Sequence, residues 1–187
     1  MFIQTEATPN PATLKFLPGR PVLDQGTLEF LDPAGSKASP LASRLFEIDG
    51  VKGVFFGTDF ISVTKGDGEW QHLKPAILGA IMEHYLSGEA VTEGEKTGSE
   101  SSPEGEFFAP EDAGTVKTIK ELLETRVRPA VAQDGGDITF QGYRDGVVFL
   151  HIRGACSGCP SSTATLRHGI ENLLRHFIPE VQEVRPV

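Results

Sequence analysis

The sequence predicts an α+β protein made of two small α/β-layer domains joined by a flexible acidic linker. Three observations predict it. Strand-like alternation and helix-like spacing take turns in both halves of the chain, which is the mark of mixed layers rather than of a bundle or a sandwich. Residues 89–113 are rich in Gly, Ser and Glu, lack aliphatic periodicity, and carry eight acidic residues against Lys96 alone, as a solvated linker does. With 187 residues, 39% of them hydrophobic, the chain has enough apolar material for two modest cores. The expected domains are therefore residues 1–88 and 114–187, with the linker over 89–113.

In the first half, Phe2 to Glu6 and Thr13 to Leu17 read as strands joined through Thr8-Pro9-Asn10-Pro11, whose prolines fix φ and favour an extended turn. Gly26 to Leu31 offers a third short strand. Leu41 to Ile48 has apolar residues at 41, 45 and 48 behind Ser39-Pro40, a helix-start signal. Val51 to Phe56 and Phe60 to Lys65 form a second hairpin around Gly57-Thr58-Asp59. Leu73 to Leu86 keeps helical spacing at 73, 77, 78, 81, 82, 85 and 86, and Gly88 stands where a helix-ending glycine belongs.

In the second half, Val116, Ile119, Leu122, Leu123 and Val127 recur at helical spacing among lysines and glutamates, leading toward Pro129. Asp134-Gly135-Gly136-Asp137 then supplies the turn into a strand from Ile138 to Tyr143. That strand hairpins through Asp145-Gly146 into Val147 to Arg153. A helix opens near Pro160-Ser161 and carries an apolar stripe at Ala164, Leu166, Ile170, Leu173, Leu174, Phe177 and Ile178 until Pro179 stops it. Val181, Val184 and Val187 suggest a last strand, so the order is helix, strand, strand, helix, strand.

The only two cysteines, Cys156 and Cys159, stand three apart in Cys156-Ser157-Gly158-Cys159-Pro160, between the strand ending near Arg153 and the helix opening near Ser161. Cysteine binds metal and attacks electrophiles as thiolate, and the N–H groups and positive dipole end of a following helix favour that form. This placement marks a metal or redox site. An iron-sulfur cluster is usually held by four thiolates and a structural zinc by four cysteine or histidine ligands, so one such pair is half a coordination shell. A second copy of the chain, related by a two-fold axis, would complete it. The alternatives are a thiol-disulfide redox protein using the same cysteines and a zinc-bridged dimer. Against the first, thioredoxin-like enzymes carry the motif after an early strand in a longer βαβ pattern.

The remaining titratable residues add no ligand set. His72 and His84 read as solvated or core-edge groups, and His151, His168 and His176 as surface or supporting ones. Asp134 and Asp137 read as turn residues rather than metal ligands. Trp70, Phe55, Phe56 and Phe60 read as core aromatics, with partner docking as the remaining role for a half that shows no chemistry of its own.

The net charge of −9 is mostly a linker property, since residues 89–113 contribute seven of those charges, and no basic face for nucleic acid results. The longest apolar stretches, such as Ala76 to Met82, fall far short of the roughly 20 residues a membrane span needs. Met1-Phe2-Ile3-Gln4 enters strand-like sequence without a basic segment and apolar h-region. Two chemically spaced cysteines point to a reducing compartment. The expectation is a soluble protein of the bacterial cytoplasm or a mature organelle form.

The run Arg128-Pro129, Asp134-Gly135-Gly136-Asp137-Ile138, Gly154-Ala155-Cys156-Ser157-Gly158-Cys159-Pro160-Ser161-Ser162, Thr165-Leu166-Arg167 and Gly169-Ile170-Glu171 resembles the NifU-like C-terminal domain of Nfu-type iron-sulfur cluster carriers. Thr8-Pro9-Asn10-Pro11, Leu14-Lys15-Phe16 and Phe55 to Lys65 are similar to the Nfu N-terminal domain. The resemblance implies a carrier, not an enzyme, in which Cys156 and Cys159 are the cofactor and metal ligands of a [4Fe-4S] cluster bridging two chains. It implies a homodimer when loaded, an upstream cluster assembly machinery as donor, and apo iron-sulfur enzymes, such as those of lipoate synthesis or the aconitase type, as recipients. Arg167 stands where the family often has lysine, which keeps the charge.

Overall fold

The computed structural model describes residues 1–93, 106–155 and 160–187. They fall into two compact units, Met1–Glu100 and Ser101–Val187. Cys156 and Cys159, and the middle of the expected linker, lie outside the described residues.

In the first unit, β1 (Gln4–Ala7), β2 (Thr13–Leu17), β3 (Leu28–Phe30), β4 (Val51–Phe56) and β5 (Ile61–Lys65) form a sheet in the order β1-β2-β5-β4-β3, with every neighbouring pair antiparallel. Both expected hairpins are present. The Thr8 hydroxyl donates to the carbonyls of Asn10 and Thr13, and the Asn10 side chain accepts from the Ala12 amide, so the Pro-rich turn satisfies its polar groups locally. Helix α1 (Pro40–Phe46) opens with Pro40 in its first turn, and the Ser39 hydroxyl caps the amide of Ala42 at 3.1 Å.

Helix α2 (Trp70–Ser87) ends on Gly88, whose φ of 74° is the left-handed conformation that residue suits. Its buried stripe is Leu73, Ile77, Ile81 and His84, whereas Met82 and Leu86 are exposed. His84 is thus a core residue at 0% exposure rather than a solvated or core-edge one. The reason is spacing, because position 84 continues the three- and four-residue steps set by 73, 77 and 81. His72 is exposed. Phe56 sits in the core, Phe55 and Phe60 are buried against each other, and Trp70 donates its indole N–H to the Pro11 carbonyl at 3.1 Å, so none of these aromatics forms an open patch.

The second unit runs helix, strand, strand, helix, strand. Its first helical stretch is α3 (Ala113–Leu122), a π-helical turn over Leu123–Val127 and α4 (Arg128–Gln133). The sequence led this helix only toward Pro129, yet the chain stays helical through it. Proline has no N–H and its ring crowds the carbonyl four residues back, and a widened turn just before it relieves both demands. Strands β6 (Gly136–Arg144), β7 (Val147–Gly154) and β8 (Glu183–Pro186) form a sheet in that order, β6 with β7 antiparallel and β7 with β8 parallel. Helix α5 (Pro160–Phe177) is the crossover that a parallel pair requires. Ile170, Leu174 and Ile178 are buried with Ile138, Phe140, Val148 and Leu150. Of the stripe read in the sequence, Ala164 and Phe177 face outward, Phe177 lying 5.2 Å from the guanidinium of Arg126.

At the two ends of the expected linker, Ser39 bonds the Val91 carbonyl, the Glu93 amide donates to the Ala38 carbonyl, and Phe107 bridges to Gly142 on β6.

Candidate functional site

The described chain brackets the cysteines on both sides. Strand β7 ends at Gly154, whose φ of 72° turns the backbone into a region where a side chain would be strained. Ala155 follows, buried, and its amide donates to the carbonyl of Gly135 at 3.2 Å. Gly154 pairs with Gly136 across the β6–β7 ladder, and Gly135 has a φ of 79°. The residues that lead into Cys156 are therefore held by a glycine corner from the opposite strand. On the far side, Pro160 is the first residue of α5, so Cys159 immediately precedes a helix of 18 residues. The amides and dipole end of such a helix favour an anionic sulfur.

An ion pair, buried at its carboxylate and partly exposed at its guanidinium, braces that corner. Arg128 donates from Nε to Asp137 Oδ1 at 2.9 Å and from Nη2 to Asp137 Oδ2 at 3.1 Å, a two-pronged geometry. Asp137 is 4% exposed, takes a further hydrogen bond from the Ile138 amide at 2.8 Å, and is the ladder partner of Arg153, three residues before Cys156. Glu124 approaches the same guanidinium from one helical turn earlier. These carboxylates, Asp137 foremost through its hydrogen bonds, push the arginine pKa up, so its charge is fixed at any working pH.

Sequence reasoning read Asp137 as turn chemistry and gave Arg128 no task. The signal that would have paired them is the short helix-to-strand interval, which brings the last helical arginine over the first strand aspartate. Asp134 is a helix-terminal residue whose amide donates to Val131 at 3.1 Å. His151 is half-buried on the strand, and His168 and His176 are exposed on α5. Among the described residues, no three of His, Cys, Asp and Glu gather as a metal site. Cys156 and Cys159, the two thiols of the sequence, lie outside the described residues, and two thiols could supply half of the four donors that a closed iron or zinc shell takes.

Two α+β units, one of which carries in its sequence a closely spaced thiol pair between a braced strand end and a helix start, define a thiol-bearing two-unit protein. Family profiles agree with both units. The profile described as "Scaffold protein Nfu/NifU N terminal" matches residues 3–88, and the one described as "NifU-like domain" matches residues 119–185. The chain is 50% identical over 189 residues to the human protein named "NFU1 iron-sulfur cluster scaffold homolog, mitochondrial", covering 100% of this chain and 72% of that protein. It is 48% identical to "NifU-like protein 4, mitochondrial" of Arabidopsis thaliana, covering 98% of this chain and 65% of that protein. A solution structure of a NifU-like protein from Saccharomyces cerevisiae is 28% identical, covers 51% of this chain and 87% of that one, and superposes with a TM-score of 0.46. The chain belongs to the Nfu/NifU family of scaffold proteins.

Proposed function

We propose that this chain is an iron-sulfur cluster scaffold and carrier: Cys156 and Cys159 of each of two subunits hold a [4Fe-4S] cluster between them and pass it to apo-proteins. The observation that carries this reading is the thiol pair itself. These are the only cysteines in 187 residues, they lie within the NifU-like segment, and they enter between a braced strand end and the start of a long helix. The close relatives are named cluster scaffolds.

The cluster is cargo, and the role of this chain is to hold it loosely enough to give it up. Two thiolates per subunit leave each chain with half of the grip, so an acceptor's thiolates can replace them one at a time. Each exchange swaps one iron–thiolate bond for another and leaves the cargo itself unchanged, the work of a carrier rather than of an enzyme. The donor is an upstream assembly machinery and the recipients are enzymes that need such clusters. Two free thiols suit a reducing compartment, the interior of the mitochondrion that the names of the relatives give being one and a bacterial cytoplasm another.

The test is anaerobic reconstitution with iron and sulfide, followed by iron, sulfide and native mass, in the wild type and in Cys156→Ser. The expected result is a dimer with about two irons and two sulfides per chain, lost in the variant. A colourless zinc-bridged dimer, or an iron-free monomer that reduces disulfides efficiently, would replace the reading with one of its rivals.

A further inference from the structure

Helix α2 hands the chain to a short strap. After Gly88, residues 89–93 run back to the start of α1, where the Ser39 hydroxyl donates to the Val91 carbonyl and the Glu93 amide donates to the Ala38 carbonyl at 2.8 Å. Ser39 is fully buried and has two tasks, because its hydroxyl also accepts from the Ala42 amide as the N-cap of α1. Val91 packs against the first core. The near end of the strap is tied by Arg44 of α1, whose guanidinium lies 2.9 Å from Glu89 and 3.2 Å from Glu83.

His84, the last buried residue of α2, lies beside this tie. Its Nδ1 is 3.9 Å from Glu89 Oε2, too far for a hydrogen bond, and among the described residues neither ring nitrogen has a partner. A polar ring buried in this way forgoes the hydrogen bonds that water would give it, and regains them wherever water reaches it. The charged and titratable groups around it are Arg44 from α1, Glu89 from the strap and, on its own helix, Glu83 and Tyr85. Tyr85 packs its ring edge-on against the imidazole and donates its hydroxyl to the Pro21 carbonyl at 3.3 Å. The strands behind turn apolar Val54, Phe56, Ile61 and Val63 into this core. A proton on His84 therefore sets a second cation beside Arg44. The carboxylate oxygen nearest to it, Glu89 Oε2, is the one already engaged by the guanidinium.

We propose that residues 89–93 are an acid-released strap: protonation of buried His84 favours the arrangement in which the strap leaves α1 and water reaches the ring. The sign follows from the surroundings of the ring. Burial first, and the Arg44 charge second, make the closed form a poor binder of the proton, so the open form takes it up more readily and a falling pH opens the strap. Release frees five residues, about 17 Å of extended chain, at the C-terminal end of the first unit. The two states differ in three fastenings, Arg44 to Glu89, Ser39 to Val91 and Glu93 to Ala38, against one hydrated imidazolium. The device belongs to the first unit alone and does not depend on the carrier reading.

The test is amide hydrogen exchange read by NMR on the full-length apo-protein at pH 7.5 and 5.5, corrected for the intrinsic pH dependence of exchange. The Glu93 amide should be protected at least tenfold less than that of Ile77, a fully buried residue in the middle of α2, which marks opening of the strap without unfolding of the unit. Its protection should fall about tenfold further from pH 7.5 to 5.5, the ratio that a histidine of ordinary pKa in the open state supplies. His84→Leu should remove that fall, and His84→Gln serves the same comparison if the leucine variant does not fold. Glu89→Gln, which weakens the tie to Arg44, should lower Glu93 protection about threefold at pH 7.5 and keep the pH response. Equal protection of Glu93 and Ile77 would overturn the proposal by leaving only global unfolding. A strap that opens equally at both pH values, a fall that persists without His84, or a rise in protection at pH 5.5 would overturn it as well, the last by showing that the imidazolium draws Glu89 in and tightens the strap.

Discussion

The N-terminal unit closes its core with five antiparallel strands and fully buried Phe16, Leu41, Phe56, Ile61, Ile77 and Ile81, whereas the C-terminal unit manages with three strands and sets an ion pair and two left-handed glycines at one end. In the first unit, the polar residue inside the helical stripe, His84, is surrounded by packing. In the second, Arg128, Asp137, Gly135 and Gly154 converge on the strand end that precedes the cysteines. The costlier local features of a chain tend to gather where it has work to do, and here they gather beside the thiols.

Three changes break or sharpen this contrast. The largest effect is expected for Ile81→Ala, which empties a fully buried position of the first unit and should cost about 4 kcal/mol. Calorimetry should show the N-terminal transition lowered while reconstituted iron content is kept; loss of iron binding would mean that the units do not divide stability and chemistry as proposed. Asp137→Ala removes the buried carboxylate of this pair and should cost about 2 kcal/mol, the range of hydrogen bonds to charged groups, because Arg128 keeps Glu124 and is partly exposed. It should lower the other transition and shorten the lifetime of a loaded cluster, whereas an unchanged lifetime would reduce the brace to a fold element.

The smallest effect is one of pH. Among the described residues neither imidazole nitrogen of His84 has a hydrogen-bond partner, and burial first, then the nearby Arg44 charge, holds its pKa below the ordinary histidine value despite the opposing pull of Glu89. The unfolded chain therefore takes up this proton more readily than the folded one. Stability of the first unit should be level above about pH 6.5 and fall as the pH drops below it. Denaturation midpoints from pH 5 to 8 should show that slope in the wild type and a flatter one in His84→Leu; parallel slopes would remove His84 as the cause.

The hairpins, α5 and its stop at Pro179 were legible because each rests on periodicity and turn residues within a few positions. The pairing of β5 with β2 was not, since it joins strands far apart in the sequence that no local pattern relates. Phe107 and Phe108 were absorbed into a linker by the acidic composition around them, although two adjacent aromatics in a polar stretch were themselves a signal of docking onto something. At the site, Cys156 and Cys159 stood out by spacing. Arg128 and Asp137 did not, because an ion pair is invisible until the backbone between its members is folded.

The π-helical turn over Leu123–Val127 holds one residue more than an α-helix would use for the same rise, so everything after it is rotated by about 100° from where an unbroken helix would point it. It works as a vernier. Leu122 and Leu123, adjacent in sequence, can both enter the core, and the helix still arrives with Arg128 aimed at β6. A helix of perfect regularity would have had to choose between a filled interior and a braced strand end, and the slipped register lets one short segment serve both.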